Sequence, residues 1–139
     1  MYRDFQSRNV MIKDDQPYFI DFQGGRRGPV FYDLASFLWQ AKANYPQELR
    51  EELVDTYIDE LKYFGFHLAA CRSSFRKTLD VFVLFRQLQV LGAYGFRGLF
   101  EGKQHFVESI PFAKQNIKAL FQSNKDLKKS YPYIYKVLC

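Results

Sequence analysis

A chain of 139 residues, 47% hydrophobic and 19% aromatic, is sized for one domain with a substantial core, which excludes disorder outside the ends. Its net charge of +5 is mild and scattered, and the densest basic run, NKDLKK (Asn124–Lys129), reads as solvated surface, so no nucleic-acid partner is expected. Cys71 and Cys139 are too far apart to suggest a disulfide framework or metal cluster, Met1-Tyr2-Arg3-Asp4 has no leader pattern, and no apolar run suits a bilayer; these features predict a cytoplasmic protein with no membrane partner.

The first elements predicted are two strands. NVMI (Asn9–Ile12) runs into the turn chemistry of KDDQP, and YFIDF (Tyr18–Phe22) returns, giving a β-hairpin closed at Asp14–Pro17. GGRRGP (Gly24–Pro29) then reads as a loop, since paired glycines and Gly-Pro interrupt regular structure.

From there the pattern turns helical. Asp33 is placed to cap a helix over LASFLWQAKA, with Leu34, Phe37, Leu38 and Ala41 on one face. Pro46 opens a second, whose Leu49, Leu53, Tyr57, Ile58 and Leu61 recur at three and four, with Gly65 as its stop. A third starts at Ser73 or Ser74 and runs to about Phe96; it is apolar on nearly every side and is expected in the middle of the body. A fourth covers Gly102–Ser123, kinked or divided at Pro111, and the tail YPYIYKVL is expected to pack back. The fold class predicted is mainly α with a small N-terminal β-hairpin, a single domain over 1–139: a loop and hairpin over 1–30, then a helical body over 31–139.

The chemistry gathers at the front. A hairpin brings its two ends together, so Asn9 and Asp21 should stand side by side with Asp4 close by. Two carboxylates and an amide oxygen make a hard, oxygen-only set suited to Mg²⁺. With Asn9 and Asp21 as metal ligands, Asp4 is free to accept a proton as the catalytic residue. Asp, four residues, Asn, then Asp-Phe is also the order of a kinase catalytic loop and its metal-binding Asp. His67 and His105 show no ligand pattern, and Arg26 and Arg27 are as well suited to solvent as to phosphate.

YRDFQSRN (Tyr2–Asn9), IDFQGGRRGP (Ile20–Pro29) and FYDLASFLW (Phe31–Trp39) resemble the aminoglycoside phosphotransferase family, small-molecule kinases with a protein-kinase-like fold. RQLQVLGAYG (Arg86–Gly95) adds a weaker likeness to the bacterial members that phosphorylate the anomeric hydroxyl of amino sugars. Tyr2 stands where such motifs begin with His, and Gln23 where a kinase has Gly. The resemblance implies the C-terminal lobe of the kinase fold, Asp33 as structural support beneath the catalytic loop, Mg²⁺ and ATP (or another nucleoside triphosphate) as cofactors, and a sugar or amino-sugar hydroxyl acceptor. Arg86 and Tyr94 are weak candidates for contact with that acceptor, an aromatic face suiting a sugar ring.

A nucleotide-binding lobe is not visible. The chain has no G-x-G-x-x-G roof and no strand-borne Lys ahead of Asp4. The expectation is a catalytic-lobe fragment of a phosphotransferase, inactive in isolation, whose partner is the missing N-terminal lobe of the same protein. The uncovered face offers a dimer contact. The alternative from another class is a non-catalytic helical protein-interaction domain derived from a kinase fold.

Overall fold

The protein's structure, a computed structural model, describes residues 1–67 and 71–139. A 3-10 turn at Ser7–Asn9 leads into β1 (Val10–Lys13), which pairs antiparallel with β2 (Gln16–Phe19) from Val10 opposite Phe19 to Lys13 opposite Gln16. The turn is therefore two residues, tighter than expected from the sequence. Asp14 and Asp15 both have positive φ, 51° and 56°, the backbone of a type I′ turn, whose twist suits a two-residue hairpin. Pro17 sits within β2 opposite Ile12, a pair between ladder bonds where its missing N–H points away from the partner strand. As a result β2 begins and ends earlier than predicted, and Asp21 lies two residues past it.

The helical body is α1 (Phe31–Leu38), α2 (Gln47–Glu60), α3 (Arg72–Gly95), α4 (Gln104–Val107), α5 (Ile110–Ser123), α6 (Lys125–Ser130) and α7 (Pro132–Leu138). No helix among the described residues is long and apolar enough to cross a membrane. α1 starts before Asp33, so that residue lies in the first turn and caps nothing; Val30 is the N-cap. α1 also stops short of the predicted Ala43, because its last carbonyls find side-chain partners. Gln40 Nε2 donates to the Phe37 carbonyl (2.7 Å), and Gln87 Nε2 and Asn116 Nδ2 donate to that of Trp39 (2.7 and 3.4 Å).

α2 passes into a 3-10 turn, Leu61–Phe64, that ends at Gly65 as its sequence suggested. Gly65 has φ +83°, its N–H donates to Lys62 O, and the N–H of Phe66 donates to Leu61 O; these are the paired bonds of a Schellman stop. The buried face of α2 is rotated from the expected one: Leu49 is exposed and Arg50 buried. Arg50 reaches Asn116 Oδ1 at 3.3 Å and lies over the Trp39 ring at 5.5 Å, two neutral partners that let a guanidinium enter the interior. Burial pushes its pKa down.

α3 packs against both α1 and α5, with Phe75, Leu79, Val83 and Leu84 in the core beside Leu34, Leu38, Ile58 and Ile117. Its end widens into a π-helical turn, Phe96–Phe100, with the Glu101 N–H donating to the Phe96 carbonyl. Pro111 divides the fourth predicted helix rather than kinking it, occupying the first turn of α5 where no N–H is missed. The tail packs back as expected: Ile134, Tyr135 and Leu138 of α7 lie against the core, with Tyr135 edge-on to Phe121 at 5.5 Å. The Lys side chains of Asn124–Lys129 remain exposed.

Candidate active site

The segment before β1 is held by side chains from the helical body. Asp33 Oδ1 accepts the Arg3 N–H (2.9 Å) and Oδ2 that of Tyr2. These two bonds fix a backbone in which Arg3 takes φ +74°, a region that costs a non-glycine residue about 1 kcal/mol. From below, Gln40 Oε1 accepts both the N–H and the hydroxyl of Ser7 (3.1 and 2.9 Å). Rings close the other side: Tyr2 and Phe5 pack on Phe19, and Phe5 stacks on Phe37 at 4.8 Å.

Tyr2 has a second part. Its hydroxyl donates to the Ile20 carbonyl (2.8 Å), joining the front loop to the strand exit one residue before Asp21. Asp21 itself has φ +60°, a conformation Asp tolerates better than most residues.

Asp4 is half-buried. Its carboxylate accepts from Gln6 Nε2 and pairs with Arg8 Nη2 at 3.3 Å, an i,i+4 contact. Its backbone carbonyl accepts the side-chain Nδ2 of Asn9 (3.0 Å), and Asn9 is only 5% exposed. That bond uses the amide's nitrogen and leaves Oδ1 as the atom available to a cation. Opposite Asn9 stands Ile20, whose N–H donates to the Asn9 carbonyl at 3.0 Å, so Asp21 follows one step beyond and is not the direct cross-strand neighbour. The Asp21 side chain is exposed and makes no hydrogen bond or ion pair among the described residues. The structure thus joins Asp4 to Asn9 directly and sets Asp21 at the same hairpin base through Ile20. An amide oxygen and an unpaired carboxylate are the hard donors that Mg²⁺ takes, with its other positions left to water or phosphate oxygens, so the donor set fits that ion.

A cleft of about 630 Å³ opens beside Asp4, between the end of α1 and the outer half of α3. Arg86 and Tyr94, the two weak acceptor candidates, line it with Asp4; Asn9 and Asp21 do not. Arg86 Nη1 donates to Gln89 Oε1 (2.8 Å) and its guanidinium lies 5.5 Å from the Tyr32 ring centre. Burial pushes the Tyr94 phenol up, with Arg86 and Arg8 pulling the other way, so it is a neutral hydroxyl at pH 7. The floor holds Ser36 and Gln87, neither of which stands out in the sequence. Each lies at the packed α1–α3 contact among apolar neighbours, where a single polar residue carries no spacing signal. Gln40 is likewise visible only through its long-range bonds.

The phosphotransferase enzyme family model matches residues 1–72, the stretch that carries the front loop, the hairpin, α1 and α2. Three curated relatives align over 111 residues, 80% of this chain. Each is an N-acetylmuramate/N-acetylglucosamine kinase: one from Pseudomonas aeruginosa at 25% identity, one from Neisseria meningitidis serogroup B at 29% and one from Pseudomonas putida at 27%. The chain spans about a third of the length of these relatives. With the family model covering more than half of its residues, the chain belongs to the phosphotransferase enzyme family.

Proposed function

We propose that this chain is the catalytic lobe of an ATP-dependent small-molecule phosphotransferase whose acceptor is a sugar or amino sugar. The observation that carries the reading is the bond from Asn9 Nδ2 to the carbonyl of Asp4. It ties the residue offered as base to the residue offered as metal ligand, while Asp4 also faces the cleft that Arg86 and Tyr94 line. The names of the relatives support the acceptor class.

Asp4 receives the proton of the acceptor hydroxyl as that oxygen bonds to the γ-phosphorus and the bond to the bridging β–γ oxygen breaks. Gln6 and Arg8 orient the Asp4 carboxylate for this. Asn9 and Asp21 would hold Mg²⁺, which when bound offsets negative charge developing on the transferred group. Asp33 positions the loop by its two backbone bonds and touches no reactant. The roof over the nucleotide belongs to an N-terminal lobe outside this chain, and the exposed apolar hairpin, including Met11, Ile12 and Tyr18, is the face that receives it.

The test is phosphoryl transfer from ATP to sugars. The 139-residue chain alone is expected to fold and show no turnover, and the same chain supplied with the N-terminal lobe is expected to transfer phosphate. Asp4→Ala in that active form should lower kcat about 10²–10⁴-fold, the usual contribution of a general base. Turnover by the chain alone, abolished by Asp4→Ala, contradicts the need for a second lobe. The exposed hairpin favours one other reading, a non-catalytic interaction domain that uses this same face on a separate partner protein. Retained transfer activity in the two-lobe form argues against it.

A further inference from the structure

The acceptor cleft is cationic. Arg8, Lys42, Arg86 and Arg97 line it, and among the described residues Asp4 is its only carboxylate. Most of that charge is already answered. Arg8 lies 3.3 Å from Asp4 and Lys42 3.6 Å from Glu108. Arg97 is exposed, sits over the Phe106 ring at 5.4 Å, and is near enough to Glu101 to help Lys103 hold that carboxyl below its usual range.

Arg86 differs. Among the described residues it has no carboxylate partner: Gln89 and the face of Tyr32 hold it, and both are neutral. A half-buried guanidinium fixed by neutral neighbours keeps its remaining N–H donors for an anion, and its planar fork matches a carboxylate. Deeper in the same cleft, Gln87 is 1% exposed and Ser36 4% exposed, and among the described residues Gln87 Oε1 and Ser36 Oγ have no hydrogen-bond partner. Unpaired polar atoms at that depth are costly, which points to a ligand that supplies O–H or N–H groups.

We propose that the cleft selects an acidic sugar over its neutral counterpart, with Arg86 binding the sugar's carboxylate and Gln87 and Ser36 meeting its hydroxyl or acetamide groups. The proposal rests on the acceptor reading of this cleft and goes beyond it. The relatives' names include both an acidic and a neutral sugar, and do not say what reads the acid. A nucleotide phosphate is the other anion that could meet Arg86. The metal pair Asn9 and Asp21 lies outside the lining of this cleft, which favours the acceptor.

Calorimetric titration of the 139-residue chain at low salt tests this with N-acetylmuramate, its methyl ester and N-acetylglucosamine, which share a ring; the ester removes only the negative charge and N-acetylglucosamine lacks the whole lactyl ether. The acid is expected to bind about tenfold or more tighter than either neutral ligand, the span of one charge-assisted contact. Arg86→Gln should erase the difference, and Arg86→Lys should keep part of it because the charge remains. Equal affinities, or no saturable binding by any of the three, overturn the proposal with no variant needed. An Arg86→Gln variant of the two-lobe form with a raised KM for ATP and unchanged discrimination among sugars overturns it too. Equal phosphorylation of acid and neutral sugars sinks this inference and leaves the kinase reading. Acid-selective binding without phosphorylation of either sugar by the two-lobe form sinks the kinase reading alone.

Discussion

The loop and hairpin over 1–30 and the helical body over 31–139 are held by different physics. In the body, Ala35, Val83, Leu84 and Ile117 are fully buried, and packing at that density leaves little room for adjustment. In the front region every residue of β2 is exposed, and Asn9 is the buried residue of the loop and hairpin. What holds it is a small set of directional bonds sent from the body or across the loop, Asp33 to two amides, Gln40 to Ser7 and Tyr2 to Ile20, together with the half-exposed ring contacts of Tyr2 and Phe5 on Phe19 and Phe37. The chemistry offered for this protein sits on the bonded region and its acceptor cleft against the packed one. Stability and site geometry are therefore separable by mutation.

The largest effect is expected in the body. Leu84→Ala removes a fully buried side chain from the middle of α3 and should cost about 2–5 kcal/mol in urea unfolding. A cost below about 1 kcal/mol means that α3 is not the packing centre. Next come two glycines, one in each region. An alanine at Gly98 meets the backbone N of Val107 at 3.0 Å and its Cγ2 at 2.8 Å, so Gly98→Ala should destabilise by about 1–3 kcal/mol. At Gly28 the three atoms nearest the new methyl all belong to the Met1 side chain, which can swing away, so the change should stay within about 0.5 kcal/mol. Equal costs would erase the contrast between a packed and a loosely covered region.

Asp33→Asn should show the separation most cleanly. The amide retains one acceptor oxygen where two were used, so exchange of the Tyr2 and Arg3 amides should quicken about tenfold. The midpoint of global unfolding is expected to move little. A large fall in that midpoint, with no local change, contradicts the assignment of Asp33 to the loop. The smallest effect is at Asp80, whose carboxyl is pushed up by burial, against the opposing hydrogen bond from Asn124 and the charge of Arg76. A raised acid favours the folded state below its ordinary value of 3.8 and loses that contribution as pH rises through the folded value. Asp80→Asn should thus gain slightly on the parent at pH 7, and the gain should vanish at pH 3. A gain that grows toward acid reverses the sign.

Much of this was legible because it is local. Asp14-Asp15 announces a turn, Gly65 a helix stop, and the apolar spacing of α3 its place in the core. The errors share a cause as well. Pro17 looks like a turn residue until the I′ geometry of two aspartates makes it a strand residue. Asp33 looks like a cap because its true partners, Tyr2 and Arg3, are about thirty residues away. The end of α1 is decided by Gln87 and Asn116, and the burial of Arg50 by Asn116 and Trp39, none of which any local pattern displays. At the site, the order of Asp4, Asn9 and Asp21 suggested the chemistry proposed for it. Their offset by one residue, and the Gln87 Oε1 and Ser36 Oγ left without a partner among the described residues on the cleft floor, needed the fold.

The most direct test of the metal site proposed at the hairpin base is paramagnetic broadening by Mn²⁺ with ATP, read from the backbone amides of this chain. Broadening should begin at Asp4–Val10 and Ile20–Gln23, and Asp21→Ala should remove it. Broadening that is strongest around the exposed carboxylates of α2, or that survives Asp21→Ala unchanged, contradicts the account.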